Sequence, residues 1–183
     1  MFVSDKEIVN ISVCDLDLCN VYVGSKEIWR SSIEIIKAGV LLEPDLIIGN
    51  TYSKESQHVT STGVIESSGN YFGGSCSGVY GAPHNCSNNA YFKGVITLDE
   101  KLIGKTCIMD AYYSYSDRNK QSSSYIKNGS NTIFTFSSGT ATKNESKTFV
   151  LESNVIEMYV SFACWNDSWG PSGHIGIVNM TIE

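Results

Sequence analysis

The C-terminal half of this chain alternates regularly between apolar and polar residues, and this alternation restricts the possible folds more than any other feature. Every second residue is apolar or aromatic over positions 106–115, and the same period returns over positions 155–165. A period of two places one set of side chains on a single face of an extended strand. The residues expected to face inward are Cys107, Met109, Ala111, Tyr113, Tyr115, Ile156, Met158, Val160, Phe162 and Cys164. Both segments are therefore predicted to be half-buried β-strands.

Further strands are predicted on either side of these two segments. Residues 90–98 and 174–182 are rich in apolar side chains, and two more candidate strands flank Asn128-Gly129, a dipeptide typical of tight turns. Tyr, Phe, Ser, Thr, Asn and Gly are abundant, whereas 17% of residues are charged. This composition favours strands joined by polar turns. About eight short strands separated by turn signals are typical of an antiparallel β-sandwich, so we predict an all-β fold.

Two stretches are harder to assign from their local pattern. Residues 49–89 are mostly polar with isolated apolar side chains, so much of this stretch is predicted to be loop. A loop of that length is improbable inside a compact domain, and short strands are expected near residues 57–66, 69–73 and 77–81. Residues 31–37 are too few to distinguish a helical turn from a strand.

A short ribbon near the N-terminus has the sequence VYVGSKEIW, residues 21–29. Gly24-Ser25 suits the two-residue type II′ loop of a tight hairpin. That loop would place Val21 opposite Ile28, with Tyr22 and Trp29 diagonal to each other on the other face. A hairpin that is apolar on both faces is not stable alone in water, so we expect another polypeptide chain to cover it. The candidate partner-docking residues are Val21, Tyr22, Val23, Ile28 and Trp29.

This ribbon, with the order hydrophobic-Tyr-Val-Gly-Ser-x-x-hydrophobic-Trp, resembles a recurring segment of bacteriophage virion proteins, mostly tail and tail-associated ones. The similarity covers about residues 8–30. It implies a structural role in a virus particle, with residues 1–38 as an arm that docks onto other virion proteins. The chain would be synthesised in the host cytoplasm and end in the virion, as a homo-oligomer or in many copies. The alternative is an ordinary edge hairpin of a globular domain.

The remainder of the chain carries a looser similarity over roughly residues 40–183. A strand ends at Leu98-Asp99, the run Gly-Lys-Thr-Cys precedes an aromatic strand, and a strand of the type Ile-x-Met-x-Val-x-Phe is followed by a glycine-rich loop and a terminal apolar strand. This order resembles carbohydrate-binding-module jelly rolls of the galactose-binding type. The resemblance implies a jelly-roll-like antiparallel β-sandwich over residues 39–183, after an N-terminal β-hairpin arm, that presents ligands on a concave face or on its loops.

The loop at residues 165–171, WNDSWGP, is the most unusual candidate for ligand binding. Two indoles four residues apart would offer flat apolar faces to a sugar ring, and the polar residues between them would bind its hydroxyls. The alternative is that both tryptophans pack against the rim of the sandwich. A second aromatic cluster lies at residues 112–115. Tyr113 and Tyr115 share a strand face with Met109, whereas Tyr112 is on the opposite face. The candidate carbohydrate-binding residues are Trp165, Asn166, Asp167, Trp169 and Tyr112.

Charge and hydropathy argue against nucleic-acid and membrane partners. The formal net charge is −6 and the Lys and Arg residues are scattered, whereas binding to phosphates requires clustered positive charge. The start of the chain has no leader-like pattern. The longest apolar stretch is interrupted by Glu43, Pro44 and Asp45 and is unsuited to span a bilayer.

Catalysis, metal ions and cofactors are not expected. His58, His84 and His174 are far apart in the sequence, and none lies in a catalytic motif. Asp15 and Asp17 are close to each other, but no run of the calcium-loop type occurs. The six cysteines are expected to be reduced.

The leading hypothesis is a bacteriophage structural protein, associated with the tail or baseplate, whose displayed sandwich binds host-surface carbohydrate. Capsid decoration, in the manner of a head fibre, is the closest alternative. A free carbohydrate-binding module, whose ribbon merely completes the sandwich, is the alternative from a different class. None of these roles is enzymatic.

Overall fold

The structure is a computed structural model. It describes residues 10–14, 17–23, 26–30, 32–56, 59–77, 90–115, 121–136, 143–162 and 172–183. Within these ranges the regular structure is β-strand apart from two single-turn 3-10 helices, Pro44–Leu46 and Glu100–Leu102. The predicted all-β fold is confirmed.

Three short strands form an N-terminal sheet, and the others form two larger sheets. The N-terminal sheet contains β1 (Asn10–Cys14), β2 (Asp17–Val23) and β3 (Lys26–Arg30). The remaining strands are β4 (Ile33–Lys37), β5 (Val40–Leu41), β6 (Ile47–Ser56), β7 (Val59–Gly63), β8 (Glu66–Ser67), β9 (Phe72–Ser77), β10 (Ala90–Leu98), β11 (Thr106–Tyr115), β12 (Gln121–Asn128), β13 (Asn131–Phe136), β14 (Lys143–Val150), β15 (Val155–Phe162) and β16 (Ser172–Ile182).

The two larger sheets are antiparallel and form a β-sandwich. Sheet I has the strand order β13-β12-β15-β10-β6-β7, and sheet II has the order β14-β11-β16-β4-β5. Strand β9, which also pairs with β8, occupies the same edge of β16 as β4 but nearer the start of that strand. From β10 to β16 the chain passes repeatedly between the two sheets. The predicted β-sandwich is confirmed, whereas its finer description as a jelly roll stays a prediction.

The core lies between the sheets, where β10 and β15 of sheet I contact β9 and β16 of sheet II. The alternation seen in the sequence correctly identified the inward faces of β11 and β15, because burial of apolar side chains selects one face of each strand. The predicted inward residues found buried are Cys107, Met109, Ala111, Tyr113, Tyr115, Ile156, Met158 and Val160. The side chain of Phe162 and residue Cys164 lie outside the described part of the chain.

The region predicted to be mostly loop is where the sequence interpretation was least accurate. Strand β6 pairs with β10 from Glu55 to Ile47, so tertiary pairing makes a strand of residues without a strong local pattern. The strand expected near residues 57–66 is β7, whereas the one expected at 69–73 begins only at Phe72. Residues 78–81 lie outside the described ranges.

Residues 33–37 form strand β4 rather than a helical turn. The strand is held by pairing with the C-terminal end of β16, where Ile36 lies opposite Met180 and Ile33 opposite Ile182. Strand β4 then turns into β5 through Ala38-Gly39. This pairing brings the start of the sandwich beside the last strand of the chain.

The N-terminal sheet is an antiparallel meander in which β2 pairs with both β1 and β3. The predicted β2–β3 ribbon is confirmed, with Val23 opposite Lys26, although Gly24 and Ser25 themselves lie outside the described residues. The predicted register was wrong: Val21 lies opposite Trp29, not Ile28, because the register shifts between Val21 and Tyr22. Such a bulge adds one residue to one strand of a pair. Among the described strands, none of these three pairs with sheet I or sheet II.

Candidate binding face

The outer face of sheet I carries three tyrosines on neighbouring strands, which we call the tyrosine row. Tyr125 on β12 lies directly opposite Tyr159 on β15, and Tyr91 on β10 lies diagonal to Tyr159. The ring centroids of Tyr125 and Tyr159 are 5.2 Å apart, and those of Tyr91 and Tyr159 are 6.2 Å apart, each pair with planes within 20°. All three side chains are half-buried. The rings support one another as offset-stacked aromatic pairs.

The tyrosines face outward because their strand neighbours fill the core. Phe92, Ile126 and Val160 each follow a row tyrosine directly and are buried, and successive side chains of a strand point to opposite faces. Three strands that are distant in sequence thus present aromatic residues on one surface. The pairing of β12, β15 and β10 makes this surface continuous.

Charged groups accompany the tyrosine row. The Tyr125 hydroxyl donates to Glu157 Oε1 at 2.8 Å, and Lys93 Nζ lies 2.7 Å from Glu157 Oε2. The Lys127 ammonium lies 4.2 Å from the centroid of the Tyr125 ring, a favourable cation–π geometry. Glu157 is therefore contacted by a cation and by a phenol at the same time.

These contacts determine the protonation states. Burial, followed by the neighbouring Glu157, raises the pKa of Tyr125 to about 12. Burial alone would raise the pKa of Glu157, but hydrogen bonds from Lys93 and Tyr125 outweigh it and keep that pKa below its ordinary value. At neutral pH Tyr125 is thus a neutral phenol and Glu157 a carboxylate.

Hydroxyl-bearing residues continue this face at both sides. Ser53 on β6 lies opposite Lys93, and Thr135 on β13 lies opposite Tyr125. A groove of about 590 Å³ borders the face at Lys93 and Val95. Aromatic rings beside hydrogen-bond donors and acceptors form the kind of surface that binds the apolar faces and hydroxyls of sugars.

The outer face of sheet II holds Tyr112, which the sequence proposed as a carbohydrate contact. Tyr112 is half-buried, and its ring stacks on that of Tyr71 with centroids 4.6 Å apart and planes at 11°. Tyr71 is 7% exposed, and its hydroxyl lies 2.9 Å from Nδ1 of His174. One ring face of Tyr112 is therefore covered by protein and unavailable to a ligand. The other proposed sugar contacts, Trp165, Asn166, Asp167 and Trp169, lie outside the described residues.

Tyr71 lies against the backbone of sheet II because Gly176 has no side chain. A Cβ at Gly176 would come within 2.3 Å of Tyr71 Cδ2 and 2.9 Å of the carbonyl oxygen of Phe72. Burial raises the pKa of Tyr71, with smaller effects from Ser68 and Tyr112. Burial also lowers the pKa of His174, and the positive charge of Lys54 lowers it further. This cluster is held by packing as much as by hydrogen bonding.

Metal-binding residues are not clustered in the described part of the chain. No group of three or more His, Cys, Asp or Glu residues there could hold a metal ion. Cys76 and Cys107 are buried free thiols whose pKa burial raises to about 12, which makes them poor nucleophiles. His58 and His84 lie outside the described residues. In the part of the chain that the structure describes, no helix has the length and hydrophobicity needed to cross a membrane.

The sequence interpretation did not identify the tyrosine row. Each of the three tyrosines lies at a position where the strand alternation calls for a solvent-facing residue, and this was the available signal. The signal is weak for a single strand, since isolated surface tyrosines are common. It becomes informative only when the order of β12, β15 and β10 in the sheet is known.

No protein-family model matches the chain, and no curated protein is significantly similar to it.

Proposed function

We propose that this chain is a structural protein of a bacteriophage particle, associated with the tail or baseplate, and that its β-sandwich binds host-surface carbohydrate through the tyrosine row. The observation that carries the binding proposal is the row itself, Tyr91, Tyr159 and Tyr125 on three adjacent strands with charged groups beside them. Such a face has the chemistry of a binding surface rather than of a catalytic centre.

The row suits the mixed chemistry of a sugar ring. The phenol rings offer apolar surface to C–H groups, while Glu157 accepts and Lys93 and Lys127 donate hydrogen bonds to hydroxyls. An open face without a deep pocket binds each saccharide weakly. Many copies on one particle would raise the overall avidity by orders of magnitude, about 10²–10⁴-fold for linked sites.

The N-terminal sheet would provide attachment to the particle. Its resemblance to phage virion ribbons supports this role, and its outer strands β1 and β3 have a free edge in the described part of the chain. A free edge can accept a strand from another protein through backbone hydrogen bonds. The register places two large apolar residues, Val21 and Trp29, directly opposite each other, which would supply a hydrophobic contact to a neighbouring subunit.

Carbohydrate binding is tested by Tyr159→Ala, with Tyr112→Ala on the opposite sheet as the matched control. Binding of the full chain to purified host-surface polysaccharide is expected to fall at least about tenfold in Tyr159→Ala, because the central ring of the row contacts both of the others. The control should bind as the unmodified protein does. Equal binding by all three proteins, or a loss confined to Tyr112→Ala, would contradict the role of the row.

Attachment is tested by Val21→Asp in the full chain, with Glu27→Gln on the same ribbon as control. A buried charge at an interface without a partner is costly, so Val21→Asp should no longer co-sediment with phage particles, whereas Glu27→Gln should. Immunogold labelling of particles would separate the tail from the capsid, and head labelling would favour capsid decoration instead. Absence of the unmodified protein from particles would favour the free carbohydrate-binding module, an alternative that fits a sandwich with its own hydrophobic core.

A further inference from the structure

A second cavity lies between the two sheets, on the inward side of β6 rather than on the outer face that carries the tyrosine row. It is bounded by β6 of sheet I and by β8 and β9 of sheet II, and its volume is about 420 Å³. Its lining includes Tyr52, Phe92 and five residues with polar side chains, Lys54, Glu66, Ser67, Ser68 and Ser75. We call it the edge cleft. Its volume is within the range of small-molecule sites, about 300–1,000 Å³.

The edge cleft exists because the inward face of β6 is polar. Asn50, Tyr52 and Lys54 occupy alternate positions that pair with Ile96, Gly94 and Phe92 on β10, which face the core. Tyr52 packs against the core, but Asn50 and Lys54 in this phase do not extend it, so a cleft is left between β6 and strands β8 and β9. The side-chain amide of Asn50 is hydrogen-bonded to the backbone of Ile65. Its Nδ2 donates to the Ile65 carbonyl oxygen at 2.7 Å, and its Oδ1 accepts from the Ile65 N–H at 2.9 Å.

Lys54 has no such partner among the residues that the structure describes. Its side chain is half-buried, and it makes no hydrogen bond or ion pair with any residue that the structure describes. Burial lowers the pKa of His174, and the nearby charge of Lys54 lowers it further. Burial raises the pKa of Cys76 to about 12, and the same charge opposes that effect. An ammonium that is partly removed from water gains from a counter-charge in its surroundings.

The other groups of the cleft are suited to a saccharide. Tyr52 is half-buried and packs on Phe92 at 5.7 Å between ring centroids, which fixes its ring at the cleft wall. Ser67 and Ser75 bring hydroxyls from sheet II. Glu66 is exposed, whereas Lys54 is half-buried, so an anionic group is favoured near Lys54 and a hydroxyl near Glu66.

We propose that the edge cleft binds an anionic sugar unit, with Lys54 contacting its carboxylate or phosphate group and Tyr52 its apolar ring face. This inference rests on the proposed function only in taking the ligand from a surface polysaccharide. The row lies on the outer face of sheet I and Lys54 on the inward face of β6, although Tyr52 and Val64 line both the cleft and the groove beside Lys93. The two sites can therefore be tested independently.

Calorimetric titration of the full chain would use three probes: methyl β-D-glucuronide, glucose 6-phosphate and neutral methyl β-D-glucoside. At least one anionic probe is expected to bind at least about tenfold more tightly than the glucoside, because a charge-assisted hydrogen bond contributes that much or more. The glucuronide and phosphate arms distinguish a uronic-acid polymer from a phosphate-containing one. Absence of binding by both anionic probes up to about 10 mM, or equal binding of the glucoside, would overturn the proposal.

Lys54→Gln should weaken binding of the anionic probe at least about tenfold, whereas Lys105→Gln, at an exposed lysine before β11, should leave it unchanged. Lys54→Arg should retain binding, which separates loss of charge from loss of folding. Glu66→Gln should bind as tightly as the unmodified protein or more so, since it removes a negative charge. Unchanged binding in Lys54→Gln would refute the assignment.

The same titration with Tyr159→Ala separates the two sites. That variant should bind the anionic probe normally even where it loses the polysaccharide. Loss of the anionic probe in Tyr159→Ala with normal binding in Lys54→Gln would place the anion on the tyrosine row and overturn the cleft site while leaving the proposed function intact. If the polysaccharide test fails while the anionic probe still binds in the cleft, the proposed role of the tyrosine row is overturned and the cleft site stands.

Discussion

On the outer face of sheet I, three half-buried tyrosines stand beside two lysines and a glutamate, whereas on the outer face of sheet II Tyr71 lies almost fully covered above Gly176. Both faces contain stacked tyrosine rings. On sheet II the stack is anchored by the sheet backbone and by His174, and on sheet I it is surrounded by groups that can also bond to a ligand. Stacking alone therefore does not distinguish a binding surface from a structural cluster; the neighbours of the rings do.

Internal hydrogen bonds further occupy the polar groups of sheet II. Asn179 Nδ2 donates to Asp110 Oδ2 at 2.7 Å, and its Oδ1 accepts from the backbone N–H of Ala38 at 2.9 Å. Ala38 has a positive φ of 48°, a conformation that costs energy for a residue with a Cβ. Asn179 thus secures the β4–β5 turn. The comparison predicts that changes on sheet II reduce stability more, and changes on sheet I reduce binding more.

The largest expected difference between the faces is in the cost of removing a ring. Tyr71→Ala should lower the free energy of unfolding by about 3 kcal/mol, because a large covered side chain is lost. Tyr159→Ala should lower it by about 1 kcal/mol, the scale of a cross-strand pair. Denaturant unfolding of both variants measures the difference. Equal losses of unfolding free energy would show that the two tyrosine stacks contribute equally to stability and would contradict the prediction.

Filling the space under the sheet II stack should have the next largest effect. Gly176→Ala places a Cβ 2.3 Å from Tyr71 Cδ2, and relieving this overlap should cost about 2 kcal/mol of unfolding free energy. Thr135→Ala, at an exposed position on the outer face of sheet I, is the control and should change stability by about 0.5 kcal/mol or less. An unchanged melting temperature in Gly176→Ala would contradict the close packing of Tyr71.

Stability should depend on pH through His174. The folded pKa of this residue lies below its ordinary value of 6.5, so the unfolded chain binds the proton more readily. The contribution of the neutral histidine is fully present above pH 6.5 and is lost as the pH falls from that value through the lower folded pKa. The melting temperatures of the unmodified protein and of His174→Gln should differ least at low pH, because protonation of His174 disfavours the folded state and removes the contribution of the neutral ring. Parallel curves over this range would contradict the prediction.

The smallest expected effect on stability is that of the ion pair on sheet I. The Lys93 side chain is 42% exposed, so Lys93→Gln should lower the free energy of unfolding by about 0.5 kcal/mol or less. The small difference should vanish at high salt, because exposed charges are screened. Polysaccharide binding should nevertheless weaken in this variant. A loss of stability comparable with that of Tyr71→Ala would show that the charged groups are structural.

Much of the fold was predictable, because the alternation in β11 and β15 reports burial directly. The β2–β3 register was not, since a bulge depends on the pairing geometry rather than on residue type. Strand β6 was missed because its inward residues Tyr52 and Lys54 line the edge cleft, so the strand lacks the apolar pattern of a core strand. Among the proposed sugar contacts, Tyr112 was correctly predicted to face the opposite side of its strand from Tyr113. Its stacking on Tyr71 was not predicted.

The strand character of the chain and the inward face of its most regular strands follow from the residue pattern, since side chains alternate along any strand and burial favours the apolar set. Which strands are neighbours depends on how the whole chain packs. Asn128 illustrates the difference: it suits a turn, yet its buried amide donates to the carbonyls of Ser153 and Val155. The tyrosine row and the edge cleft arise in the same way, because contacts between residues distant in sequence depend on the pairing of whole strands.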